Sequence, residues 1–146
     1  MTEATVTLVD GMQFTAETAS GHAFVVDGSP DAGGRNTGPR PMELLAASVA
    51  ACTAMDVISV LRKMQQKVTG LTVRVDGERA TEHPKRFVSL RVEYTVTGYN
   101  LVPERVARAI ELSETKYCSV MASLRPATPI TTSFTILEAD EQKLIK

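Results

Sequence analysis

Pro41-Met42-Glu43-Leu44-Leu45-Ala46-Ala47-Ser48-Val49-Ala50-Ala51-Cys52-Thr53-Ala54-Met55 is the stretch on which the fold turns. Proline is favoured in the first turn of a helix, and an acid two residues later suits the positive end of the helix dipole. The spacing predicts a helix from Pro41 to about Val68, ended by Thr69-Gly70. From Leu44 to Met55 no face carries a charge; from Asp56 a polar stripe returns with Ser59, Arg62, Lys63 and Gln66. A helix that is apolar all round must be covered all round. At ~1.5 Å per residue it runs roughly 40 Å, about the width of a domain of this size. One small sheet cannot wrap it, so a homodimer is expected, with this helix at or near the interface. The alanines at 46, 47, 50, 51 and 54 permit close approach.

Outward from that helix the chain reads as strands. Thr5 to Val9 alternates, Asp10-Gly11 signals a tight turn, and Met12, Phe14 and Ala16 alternate again. His22 to Val26 supplies a third strand of a meander. Residues 28–40 form a glycine- and proline-rich loop carrying Arg35 and Arg40; loops of this length are often functional. Beyond the helix, Leu71, Val73 and Val75 alternate with polar residues, as do Val88, Leu90, Val92, Tyr94 and Val96. With the polar turn Glu82 to Arg86 between them they predict a hairpin with one buried face. Pro103 opens a second helix reaching about Ser123, with Val106, Ile110, Ser113 and Tyr117 on one side, and Thr131 to Leu137 forms a last strand. The order βββ-α-ββ-α-β predicts one α+β domain over residues 1–146, with a mainly antiparallel sheet.

Composition narrows the function. The 146 residues are 43% hydrophobic and 23% charged, in the range of globular chains rather than disordered ones. Sixteen basic residues against seventeen acidic ones make a general nucleic-acid or anionic-membrane role unexpected. The start, Met1-Thr2-Glu3-Ala4, lacks the features of a secretory signal. The uncharged run 44–55 is shorter than the roughly 18–20 residues that span a bilayer. A cytoplasmic location is the expectation.

Two cysteines remain, Cys52 and Cys118. In a reducing compartment a structural disulfide is not the default. No C-x-x-C or H-x-x-H occurs, so neither metal nor cofactor is expected. Free cysteine commonly serves as inert packing. Here each cysteine sits in a helix beside a small polar residue, Thr53 or Ser119. A thiol in dry surroundings is unreactive, and at neutral pH it needs a cation or hydrogen-bond donors nearby. Arg35, Arg40, Lys116 and Arg125 are the candidates. A reactive Cys52 would suit a small apolar electrophile. A peroxide fits, because a sulfenic acid formed on one cysteine is converted to a disulfide by a second. Glu43 has an ordinary reading as a first-turn acid and a functional one as the partner of a loop arginine. His22 and His83 read as solvated, and Met42, Met55, Met64 and Met121 as core.

Gly38-Pro39-Arg40-Pro41-Met42-Glu43-Leu44-Leu45-Ala46-Ala47, then Ala50-Ala51-Cys52-Thr53, and much later Lys116-Tyr117-Cys118-Ser119-Val120, resemble the OsmC/Ohr superfamily, in its divergent OsmC-like branch. The resemblance runs through nearly the whole chain. It implies an intertwined homodimer that reduces organic hydroperoxides in oxidative stress defence, with a lipoyl-type or other dithiol as reductant. It matches Cys52 to the peroxidatic cysteine and Cys118 to the resolving one. Arg35 and Glu43 are taken as the cation and acid of the site, although the family's arginine aligns with neither Arg35 nor Arg40 and Met42 stands where the family has its glutamate, directly after the proline. A second reading is a non-catalytic or redox-sensing dimer that binds a small apolar ligand.

Overall fold

The computed structural model describes residues 1–140, and the chain forms two compact units that divide between Leu45 and Ala46. The first holds three antiparallel strands, β1 (Ala4–Asp10), β2 (Gln13–Thr18) and β3 (Ala23–Val26), in the order β1-β2-β3. Gly11, at φ 56°, supplies the left-handed residue of the β1–β2 turn. The register sets Val6 opposite Ala16 and Ala16 opposite Phe24, with Leu8, Phe14 and Val26 on the next row. These side chains share one face, as alternation requires. Yet Val6 and Leu8 are each 58% exposed and Phe24 is 41% exposed.

The loop after β3 is organised around Asp27, which is buried. Its carboxylate accepts from the backbone N–H groups of Gly28 (2.7 Å), Arg35 (3.2 Å) and Thr37 (3.1 Å), and from the Thr37 hydroxyl (2.6 Å). The Gly28 carbonyl lies so close to Gly34 that any side chain there would overlap it. Of these contacts the Thr37 hydroxyl does most to hold the Asp27 carboxyl down, at about 2.

Helix α1 spans Pro41–Lys63. Glu43 reaches back to accept from the Arg40 backbone N–H at 3.0 Å, half of a capping box. Val49, Thr53, Val57 and Leu61 form the one buried row, at i, i+4, i+8 and i+12. The helix expected to reach Val68 stops five residues sooner. Gln65 turns left-handed at φ 57°, and the N–H groups of Gln66 and Gln65 close on the carbonyls of Leu61 and Arg62. That is a Schellman motif without the glycine that usually announces it. Met55, expected in the core, is 70% exposed, because it lies about 200° around the helix from Thr53. An 18-residue window of this helix is also apolar enough to cross a membrane, with a mean hydropathy of 2.0, although its uncharged run is shorter than a span. Core helices of soluble proteins share that property.

The second sheet has the order β4-β5-β6, formed by Lys67–Arg79, Phe87–Tyr99 and Ile130–Glu138. The β4–β5 hairpin is antiparallel as predicted, and Leu90, Val92, Tyr94 and Val96 of central β5 are buried. Strand β6 pairs with β5 in parallel, Leu90 opposite Ile130. A parallel neighbour needs a crossover, and the helical segment between β5 and β6 provides it. That segment is not one helix to Ser123. It comprises α2 (Pro103–Leu112), a π turn (Ser113–Tyr117) and α3 (Ser119–Leu124).

Asp27 titrates lower in the folded loop than in an unfolded chain. Its contribution to stability is therefore complete above about pH 4 and is lost as pH falls through about 2. An NMR titration should show the amide shifts of Gly28, Arg35 and Thr37 moving together with a midpoint near 2. A midpoint at the ordinary 3.8 would show that the loop does not hold the carboxylate.

Candidate active site

Cys52 and Asp56 stand one turn apart on α1, on the same face. Cys118 reaches that face through the break after α2. The π turn widens the helix so that the Cys118 N–H meets the Ser113 carbonyl at 2.8 Å. Such bulges recur at functional sites. Cys118 then leaves helical geometry at φ −71° and ψ 99° and caps α3, its Sγ accepting from the Met121 N–H at 3.4 Å. The Cys52 and Cys118 sulfurs and a carboxylate oxygen of Asp56 all lie within 4.8 Å of one another. Cys52 and Asp56 are half-buried, and Cys118 is buried. Burial pushes the Cys118 thiol up to about 11; Cys52 and Asp56 push the same way, and the Met121 N–H opposes them.

Behind the sulfurs runs a chain of buried hydrogen bonds. Thr53 Oγ1 lies 2.7 Å from Tyr94 Oη and 2.8 Å from Ser113 Oγ, and Ser113 Oγ donates to Asp56 Oδ2 at 3.0 Å. Each hydroxyl has one proton to give. Since Ser113 gives its proton to the carboxylate, Thr53 must donate to Ser113 and Tyr94 to Thr53. All three protons point toward Asp56, an arrangement in which each bond strengthens the next. Burial raises Tyr94 to about 12, so the phenol stays protonated. Asp56 also lines a groove of about 330 Å³ with Val60, Met64, Leu112 and Tyr117.

The other residues singled out from the sequence have different neighbours. Arg35 pairs with Asp10 at 2.7 Å, and each raises the charged state of the other. Arg40 contacts Asn36 and the Gly38 carbonyl, and Glu43 is held at the start of α1. These contacts all lie within residues 1–45, whereas both cysteines lie in the second unit. Lys116 sits over the Tyr117 ring at 5.3 Å, and Tyr117, expected on an apolar helix face, is 46% exposed because the π turn rotates it outward. Exposed His22 pairs with Ser20 at 2.9 Å, and Met121 is in the core as expected. Sequence reasoning missed Asp56, Thr53, Ser113 and Tyr94 as site residues. The available signal was the i, i+4 spacing of Cys52 and Asp56.

A family model described as OsmC-like protein matches residues 33–133. Protein YhfA of Escherichia coli (strain K12) is 38% identical over 137 residues, 94% of this chain and 99% of that protein. The crystal structure of a hypothetical protein from Aquifex aeolicus VF5 superposes with a TM-score of 0.84 at 27% identity, covering 96% of this chain and 98% of the other. An organic hydroperoxide resistance protein from Elizabethkingia anophelis, with thiocyanate from the crystallant bound, gives a TM-score of 0.70 at 21% identity. It covers 94% and 96% of the two chains, and the likeness is one of fold.

Replacing Thr53 with Val keeps the shape but leaves the Tyr94 hydroxyl buried without an acceptor. This should cost about 1–3 kcal/mol, against about 1 kcal/mol for Tyr94→Phe, which removes the donor itself. Urea unfolding of both variants checks the order. Equal, negligible costs would mean that the chain of hydroxyls is not formed.

Proposed function

Because this chain belongs to the OsmC-like family, we propose that it reduces organic hydroperoxides through Cys52 and Cys118, as a defence against oxidative stress. The observation that carries the reading is the meeting of the two sulfurs and the Asp56 carboxylate within 4.8 Å, from positions 66 residues apart in the chain. The hydroperoxide resistance protein of Elizabethkingia anophelis, alike in fold, supports the same chemistry. In the groove beside Asp56, where Ser59 and Lys63 also stand, Val60, Met64 and Leu112 offer apolar contact to an organic peroxide.

In the proposed reaction the Cys52 thiolate attacks the terminal oxygen of the peroxide. The O–O bond breaks, the alkoxide takes a proton and leaves as an alcohol, and Cys52 becomes a sulfenic acid. Cys118 then attacks the Cys52 sulfur. At about 11 its thiol is almost wholly protonated near neutral pH, so the step needs a base as the S–S bond forms. Asp56 is the group in reach. It accepts the Cys118 proton and passes it to the departing hydroxyl, so that water leaves. The chain from Tyr94 through Thr53 and Ser113 steadies the carboxylate for this role. A small dithiol of the lipoyl type returns the disulfide to two thiols and is itself oxidised to a disulfide. Arg35 as the cation favouring the thiolate, and Glu43 as its partner, are proposed on the resemblance alone.

We also propose that the working form is a homodimer in the cytoplasm. The exposed apolar face of the first sheet, with Val6, Leu8 and Phe24, supports it, as does the exposed Met55 on α1. Sedimentation equilibrium should return twice the 15.8 kDa mass of one chain, and a monomer at micromolar concentration would refute the assembly.

Cys52→Ser should lower consumption of cumene hydroperoxide by roughly a thousandfold or more. In Cys118→Ser and Asp56→Asn, a sulfenic acid trapped by dimedone should accumulate after one addition of peroxide. Unchanged turnover in Cys52→Ser would remove the proposal. Disulfide formation as fast in Asp56→Asn as in the parent would remove Asp56 from it.

A further inference from the structure

The same three side chains have a second capacity that neither peroxide chemistry nor the spacing of cysteines in sequence reveals. We propose that reduced Cys52, Cys118 and Asp56 bind one zinc ion. The donor set is two thiols and a carboxylate, the mixture that suits a borderline-soft divalent ion and excludes magnesium or calcium, which take oxygen ligands. Cys52 and Asp56 are one helical turn apart on α1, and Cys118 approaches from the cap of α3, so three ligands converge from two elements.

The distances fit. Tetrahedral zinc with Zn–S near 2.3 Å sets sulfurs about 3.8 Å apart. The three donor atoms, all within 4.8 Å of one another, need to draw in by about an ångström, a side-chain adjustment. Two of the three ligands also have support typical of metal sites, where outer hydrogen bonds orient the inner donors. Ser113 Oγ holds Asp56 at 3.0 Å, and behind it stand Thr53 and Tyr94. The Met121 N–H donates to the Cys118 sulfur at 3.4 Å, as N–H groups do to metal-bound thiolates. Cys52 and Asp56 are half-buried, which leaves a water the fourth position.

Binding replaces two thiol protons, so each ion taken up releases two protons and the thiol pair is masked. Oxidation of the pair to a disulfide removes both sulfur ligands and frees the ion. Metal and peroxide therefore exclude one another at this site. The ligand spacings, with one cysteine and one aspartate on a single helix turn and the other cysteine far along the chain, match none of the short motifs by which zinc sites are read from sequence.

The test uses the full-length chain, reduced and metal-free, titrated with Co²⁺ without oxygen. One equivalent should produce thiolate-to-cobalt charge-transfer absorption and the intense visible bands of four-coordinate cobalt, and one equivalent of Zn²⁺ should abolish both. Cys52→Ser and Cys118→Ser should each lose the charge-transfer intensity of one thiolate. Asp56→Asn removes a direct ligand and should weaken binding at least as much as loss of an outer-shell partner does, roughly tenfold or more. The parent protein oxidised with diamide should bind none, which needs no variant to fold. Absence of the charge-transfer band, or cobalt binding unaltered by both diamide and Asp56→Asn, would overturn the site. Neither readout depends on peroxide turnover. A protein that binds cobalt but consumes no hydroperoxide would refute the proposed function alone, and the reverse would refute the zinc site alone.

Discussion

The rotation of α1 about its own axis is the constraint on which the site depends, and Thr53 sets it. Its hydroxyl takes a proton from Tyr94 on β5 and gives one to Ser113 in the π turn, so one side chain ties the helix to the sheet and to the following helical segment. A shift of one residue turns an α-helix by about 100°. With Thr53 held, Cys52 and Asp56 are carried to the same side as Cys118; with Thr53 displaced, they are not. Val49, Val57 and Leu61 add apolar burial along the same row, but burial is not directional and tolerates rotation that hydrogen bonds do not.

Much of this framework was legible in the sequence because its signals are local. Pro41 and Glu43 mark the start of α1, and the alternation of Leu90, Val92, Tyr94 and Val96 marks a strand buried on one face. The pieces that were not legible depend on context. Gln65 adopts the left-handed conformation usually reserved for glycine, so no residue type announces the end of the helix. The helical periodicity of residues 103–123 continues through the π turn, and nothing in Val106, Ile110 and Ser113 foretells that Cys118 will leave the helix to cap α3. The parallel pairing of β6 follows from the path of that segment rather than from the strand's own residues. In sequence Asp56 is the first residue of a polar stripe, and its distance to the sulfurs, its partial burial and its bond from Ser113 separate it from Ser59 and Arg62.

Two of the residues suggested by resemblance have sufficient local work of their own. Glu43 satisfies a backbone donor at the start of α1, which any helix beginning must arrange. Arg35 is fastened by its side chain to Asp10, and its backbone N–H helps hold Asp27. The loop 28–40 is thus built around a buried carboxylate, as tightly specified as a strand, even though its glycines and prolines suggest freedom.

The separation of the two cysteines along the chain has a consequence beyond catalysis. A covalent link between positions 52 and 118 would cinch α1 to α3 and enclose β4, β5 and α2 in a single ring. Closing a ring of that size in the unfolded chain removes conformational entropy equivalent to about 4 kcal/mol. Exposure to oxidant would then be written into the molecule as mechanical toughness: the used form would resist heat and proteases better than the fresh one, and its reductant would restore suppleness together with the thiols.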